Sequence, residues 1–319
     1  RTLRASIHHC IGVKGQDAPV LDISDFGLCA IIASVSTGAK KVTSLESSSG
    51  TLPILSAKVA QIGNHLPWPR SEFQIIQAQA EHILQGHIAG GAAEIVVCEP
   101  YYEMLEGWHL QEAMNYFHLI RSLKKRGVIS TSALSVPAHA RVMACVIEFD
   151  DFSSAYGLVG DRSSENTVAG FRHASVNYYG DRYHTRSTSF PLWQYRYKQL
   201  SNGFCVANIL YEGAAPTVEN VDDSVVLFSE GNAQAVVFWV DYYCRTGANF
   251  GIISTATSSH RQLIRKLPKP IAITEEDVKT GSKFCCHASF DDDPHGIEDH
   301  SFTFEFFRSG DRKNYATSM

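Results

Sequence analysis

A change of period midway along the chain constrains its fold more than any other feature. As far as about Leu134, short apolar runs alternate with segments whose apolar residues recur at helical spacing. Beyond that point, β-branched and aromatic runs follow one another with turn residues between them and no strong helical pattern. Strands alternating with helices imply a mostly parallel, doubly wound sheet; strands in succession imply an antiparallel sandwich or barrel. The chain therefore reads as α/β over residues 1–134 and β over residues 135–319. The small-residue stretch 130–135 (STSALS), leading to Pro137, is the linker between them. With 319 residues, 44% of them hydrophobic, there is apolar material for a full core.

In the first unit, residues 18–23 form a buried-strand signal and residues 28–35 an apolar helix ending near Gly38. Residues 41–46 make a second strand, 51–62 a helix and 94–99 a later strand. Residues 112–125 form an amphipathic helix with basic residues in its last turn and Gly127 as its stop. In the second unit, strands are expected over 140–149, 203–211, 224–228, 233–243 and 301–307, with one candidate helix around 182–200. His8 and His9 read as a solvated tail, Asp291 to Asp293 as a turn, and Trp193 as a packing anchor. Trp239 alternates with Phe238 and Val240, so one face of its strand is core.

Composition excludes several function classes. Lys+Arg number 28 against 33 Asp+Glu, a net charge of −5, which leaves no basic excess to hold a phosphate backbone. Direct nucleic-acid binding is therefore not expected. No apolar run approaches the ~20 residues of a membrane helix. The opening Arg1-Thr2-Leu3-Arg4 runs into a polar segment unlike a secretory leader, and the start without Met leads to the expectation of a fragment or a trimmed chain. The eight cysteines are dispersed and form no CxxC pair, as reduced intracellular thiols packed like small hydrophobes would. Cys285-Cys286-His287 lacks a second ligand pair, so no metal site is expected.

Three places could carry chemistry. The first is Val20 to Leu28, a strand entering a tight turn and then a helix, the arrangement that offers helix-terminal N–H groups to a ligand. Close approach of a nucleotide-like ligand needs glycine there, yet only Gly27 is present, with Ser24, Phe26 and Leu28 where small residues are wanted. An ordinary strand-to-helix turn is the alternative. The second is Glu46, which ends the next strand about where an acid receives a ribose hydroxyl pair, or else is a solvated strand-end carboxylate. The third is the loop 99–108, where Glu99, Glu103 and Glu106 stand among Tyr101, Tyr102 and Trp108. It follows a buried strand at the edge where open α/β sheets place ligands. A planar carboxylate clamp there suits a guanidinium; an exposed acidic loop is the alternative.

The ordered motifs VLDISDFGLCAIIAS, KVTSLESS, EIVVCEPYYEMLEGW and PAHARVMACVIEF resemble those of the protein arginine N-methyltransferases. GFRHASV, PLWQYRYKQL, AVVFWVDYY and SSHRQLIRKLPKPI continue the resemblance from about Pro19 to Phe307. It is greatest to the second module of a tandem-module, monomethylarginine-forming member. The resemblance implies a Rossmann-like domain of the S-adenosylmethionine-binding type, then a β-barrel with an inserted helical dimerisation arm near residues 177–199. It places Asp22 and Gly27 in the first cofactor motif, Glu46 as the ribose-binding acid, and Glu99 in the paired-glutamate loop. His260 matches the histidine of the Thr-His-Trp loop.

The departures bear on function. The cofactor-loop glycines are missing; the second clamp glutamate falls near Trp108, with Glu106 close but out of register; and Arg261 stands where the loop has Trp. One clamp carboxylate orients a guanidinium poorly, and ~1 Å of misplacement can cost about a hundredfold. The reading is of a module that does not turn over but acts as pseudo-dimer partner to an upstream catalytic module or a second subunit. S-adenosylmethionine would be used by the whole enzyme and not held by this module. Arginine-containing proteins such as histones or RNA-binding proteins would be the substrates, in the cytoplasm or nucleus. The alternatives are an active module using Glu99 with Glu103 or Glu106, and a non-enzymatic binder of Arg-rich peptides.

Overall fold

The computed structural model describes residues 1–63, 72–100, 109–149, 151, 167–168, 170–178, 188–213, 217–218, 225–256, 260–289 and 301–307. The first part runs α1 (Thr2–Lys14), β1 (Val20–Asp22), α2 (Leu28–Ile31), β2 (Lys41–Glu46), α3 (Leu52–Gly63), β3 (Glu72–Gln77), β4 (Ala93–Val97), α4 (His109–Lys125) and β5 (Ile129–Val136). Its five strands form a parallel sheet in the order β3-β2-β1-β4-β5. The order reverses at β1, so a crevice opens at the carboxyl ends of β1 and β4.

The second part runs β6 (His139–Glu148), β7 (Thr167–Val168), β8 (Phe171–Arg172), β9 (Thr188–Phe190), β10 (Lys198–Gln199), β11 (Phe204–Leu210), β12 (Thr217–Val218), β13 (Gly231–Arg245), β14 (Phe250–Ser254) and β15 (Gln262–Ile273). It finishes with α5 (Glu275–Thr280), β16 (Lys283–Ser289) and β17 (Ser301–Phe307). An antiparallel sheet follows the path β12-β11-β6-β13-β15-β9, with β10 added on β6 and β14 on β13. β16 and β17 pair with each other, as do β7 and β8. Among the described residues, no helix is long and apolar enough to cross a membrane.

The period-2 alternation of β13 supplies two packed faces. Val236, Phe238, Val240 and Tyr242 join one cluster with Phe117 and Ile120 of α4 and Leu21 of β1, so the main core runs through both parts of the chain. Ala235 and Val237 pack on the other face with Ile147, Phe149, Phe190 and Ile264, and Trp239 lies partly buried against them. On the parallel sheet, Leu3, Ile7, Cys10 and Ile11 of α1 recur at helical spacing and cover Val20, Val42, Ile95 and Val97.

Several expectations need correction. Residues 2–14 are a packed helix, and His8 and His9 are part of it, not of a tail. The helix expected over 28–35 is one α-turn, continued by a π-helical stretch at Ile32–Ser36. The stretch 130–135 is the body of β5, whose Ser135 and Val136 pair with Val96 and Val97. Small side chains there do not mark a linker, because a parallel strand needs only backbone pairing. Of the span 177–199 read as a helical arm, residues 177–178 end a short helical segment that starts at 174, and residues 179–187 lie outside the described residues. Residues 188–199 hold β9, a 3₁₀ turn at Leu192–Gln194 and β10, both strands pairing into the antiparallel sheet. Of the strand expected over 224–228, the described residues 225–228 form isolated bridges at Val226 and Leu227. The Asp291 to Asp293 turn lies outside the described residues.

Candidate functional site

The carboxyl ends of the parallel strands enclose an open cleft of about 870 Å³, within the usual size of a small-molecule site. Ile23 to Phe26 follow β1, Ser47 follows β2, Ala78 to Glu81 follow β3, and Cys98 to Pro100 follow β4; all line it. Helix α4 adds Glu112, Asn115, Tyr116 and Leu119, spaced i, i+3, i+4, i+7 along one face. Asp25, Glu81, Glu99 and Glu112 make the lining acidic, and no Lys, Arg or His is among its described residues.

Asp22 lies beneath the first turn, fully buried. Its Oδ1 accepts from the Ser24 backbone N–H at 3.0 Å and from the Ser24 hydroxyl, and its Oδ2 from the Ala30 N–H at 2.6 Å. The carboxylate thus closes its own strand-to-helix turn. Burial pushes its pKa up to about 7 against the pull of those bonds, and the charge of Glu99 adds to the rise.

The backbone then turns through two left-handed residues, Phe26 at φ 68° and Gly27 at φ 56°. Gly27 is required twice over: its φ favours glycine, and a Cβ would stand 2.7 Å from the methyls of Leu55. Phe26 takes the same conformation with a full side chain, and it lines the cleft 55% exposed. Asp25 accepts from the Ser47 hydroxyl at 2.8 Å, tying this turn to the residue after β2.

Glu46, the last residue of β2, is buried between Leu45 and Ser47, both of which line the cleft. Its Oε2 accepts from the Thr51 hydroxyl at 2.7 Å, while its Oε1 is buried without a hydrogen-bond partner. Burial raises its pKa; the Thr51 hydroxyl opposes the rise and the charge of Asp25 adds to it.

The cleft therefore brings Phe26 and Glu99 together above Asp22 and Gly27. His260 and Arg261 are not among its lining residues. The carbonyl of His260 accepts from Gln262 Nε2 at 2.7 Å, and Arg261 lines a small separate cavity with Leu110 and Trp239. Arg261, which stands where the family loop has Trp, therefore does not line the cleft. Glu103, Glu106 and Trp108 lie outside them. Sequence reasoning missed Asp25, Glu81, Glu112 and Tyr116; the helical spacing of polar residues on α4 was the available signal for the last two. No group of three metal-ligating side chains occurs among the described residues.

No protein-family model matches the chain, and no curated protein is similar to it in sequence. Solved structures are similar in shape. One is the Trypanosoma brucei PRMT1 enzyme–prozyme heterotetrameric complex with AdoHcy, at 16% identity and TM-score 0.64, over 96% of this chain and 93% of that one. Another is Arabidopsis thaliana Protein Arginine Methyltransferase 10 in an open conformation, at 13% identity and TM-score 0.62, over 97% and 93%. The fold is that of these arginine methyltransferases. It accounts for the Rossmann-like order of the parallel sheet and for the antiparallel sheet that follows it.

Proposed function

We propose that this chain is an arginine-methyltransferase module that does not transfer methyl groups itself and serves as partner to a catalytic module, upstream in a longer chain or in a second subunit. One observation carries the reading. The turn that would have to admit a nucleoside reaches its left-handed conformation with Phe26 in place of glycine, and the ring lines the cleft. A Cβ and a ring there bar the close backbone approach that a cofactor loop needs. Asp22, meanwhile, is used up by the turn. The residues present do not fit S-adenosylmethionine, and no step is assigned to it in this module.

Fold likeness to methyltransferases supports a role within such an enzyme, and the name of the Trypanosoma brucei complex, an enzyme with a prozyme, supports a two-component assembly. The assembly as a whole would monomethylate arginines of proteins such as histones or RNA-binding proteins. The acidic lining of the cleft supports a cationic substrate passing this surface.

Calorimetry with S-adenosylhomocysteine tests the reading. The expected result is no micromolar binding by the chain alone, together with faster transfer by a catalytic module when this chain is present. Micromolar binding would overturn it. That outcome would favour an active module using Glu99 and Glu106, a second reading supported by the unpartnered Glu46 Oε1, which could accept a ribose hydroxyl.

A further inference from the structure

Neighbouring strands of the parallel sheet, in the order β3-β2-β1-β4, each deliver an acid at their carboxyl end. Glu81 follows β3, Glu46 is the last residue of β2, Asp25 follows β1 and Glu99 follows β4. Adjacent strands stand about 4.8 Å apart, so these acids are strung along the sheet edge in a row instead of gathering at one point. Glu112 of α4 adds another to the lining of the cleft.

Little in the chain neutralises this row. No Lys, Arg or His is among the described lining residues, and the sequence 101–108 contains none. Among the described residues, no ion pair reaches Asp25 or Glu81. Arg126 donates to the Glu81 carbonyl at 2.7 Å and so holds the backbone of that loop. Glu46 points to a ligand independently. It is fully buried, yet its Oε1 has no hydrogen-bond partner, and an orphaned buried acceptor calls for a donor from outside the chain. The acids also act on one another: Asp25 raises the pKa of Glu46, and Glu99 that of Asp22. A single metal ion would need several ligands converging on one point, and no three of the described side chains do so. A row of carboxylates suits a row of positive charges.

We propose that the cleft binds a linear polyamine, whose ammonium groups, set a few methylenes apart, repeat at about the interval of the strand ends. Each ammonium offers its N–H donors to the carboxylates, and the methylene links lie along Ile23, Phe26 and Leu45 of the lining. This rests on the reading that no cofactor fills the cleft.

Titration calorimetry on the intact chain tests this at constant ionic strength, with spermidine, n-propylamine, magnesium chloride, an arginine-rich peptide and S-adenosylhomocysteine as separate probes. Spermidine is expected to bind at least tenfold more tightly than propylamine or magnesium. Glu81→Gln and Asp25→Asn should each weaken it several-fold, while Glu276→Gln on α5 leaves it unchanged. Asp25 and Glu81 are both exposed, so circular dichroism should be unaltered. Equal affinity for propylamine or magnesium, or unchanged affinity in both cleft variants, would overturn the proposal. Tighter binding of the peptide than of spermidine would overturn it in favour of a protein-binding surface. Micromolar binding of S-adenosylhomocysteine would overturn the cofactor-free reading and this proposal together, whereas failure of spermidine alone would overturn only this one.

Discussion

Replacing Phe26 by glycine, and separately by alanine, tests whether the turn after β1 is held in a conformation its own residue disfavours. Phe26 sits at φ 68°, ψ 2°. A side chain there costs about 1–2 kcal/mol relative to the right-handed region. Glycine removes that cost but returns about 0.5–1 kcal/mol of backbone freedom to the unfolded chain. Alanine keeps both the Cβ and the strain. Each variant loses the ring, which is 55% exposed, so its packing contribution is modest and cancels between the two. The glycine variant should therefore be more stable than the alanine variant by about 0.5–1 kcal/mol, the reverse of the order found inside helices. Urea unfolding at equal slope would show it as a higher midpoint for glycine. An alanine variant as stable as the glycine one would refute the strain argument, and with it the account of why this turn departs from a ligand loop.

The remaining predictions concern charge, coupling and capping. Asp22, raised by burial from 3.8 to about 7, favours its protonated form in the fold. Its contribution is complete below about pH 4 and is lost as the pH rises towards 7. Asp22→Asn should flatten that fall, measured as unfolding free energy from pH 4 to 8; a contribution that grows with pH would contradict the assignment. Glu212 joins the parts of the chain, accepting from Arg245 Nη2 at 2.8 Å and from the Ser135 N–H at 3.0 Å. Glu212→Gln should cost about 1–3 kcal/mol in thermal unfolding, since a half-buried guanidinium loses its counter-charge. Thr274 caps α5 by accepting from the Asp277 N–H at 3.2 Å. Thr274→Ala should cost about 1 kcal/mol and Thr274→Ser should recover most of it in denaturant titration.

Strongly periodic segments were legible in advance. β2 and β17 lie at their expected bounds, and α3 and α4 lie within a few residues of theirs, because each repeats one spacing and ends in clear turn chemistry. α1 was missed although Leu3, Ile7, Cys10 and Ile11 share a face, since it lacks the acidic first turn and capping side chain that announce a helix. β3 was missed because its residues Glu72 to Gln77 sit at a sheet edge and are only partly buried, which hides the apolar run of an interior strand. At the site, the acids singled out from sequence do not share one role. Among the described ones, Asp22 serves the turn, Glu46 is half satisfied, and Glu99 faces the cleft. Spacing locates a carboxylate on a strand end, but local hydrogen bonding decides whether it looks inward or outward.

Tyr116 and Phe117 share a single apolar mass with Val240 and Tyr242, across the seam at which the architecture changes from parallel to antiparallel. A cut near residue 137 would not release two self-sufficient pieces; it would leave each with a torn, water-facing wall. Recombination or gene splitting at that seam is accordingly closed to this molecule, and length variation has to enter through its turns.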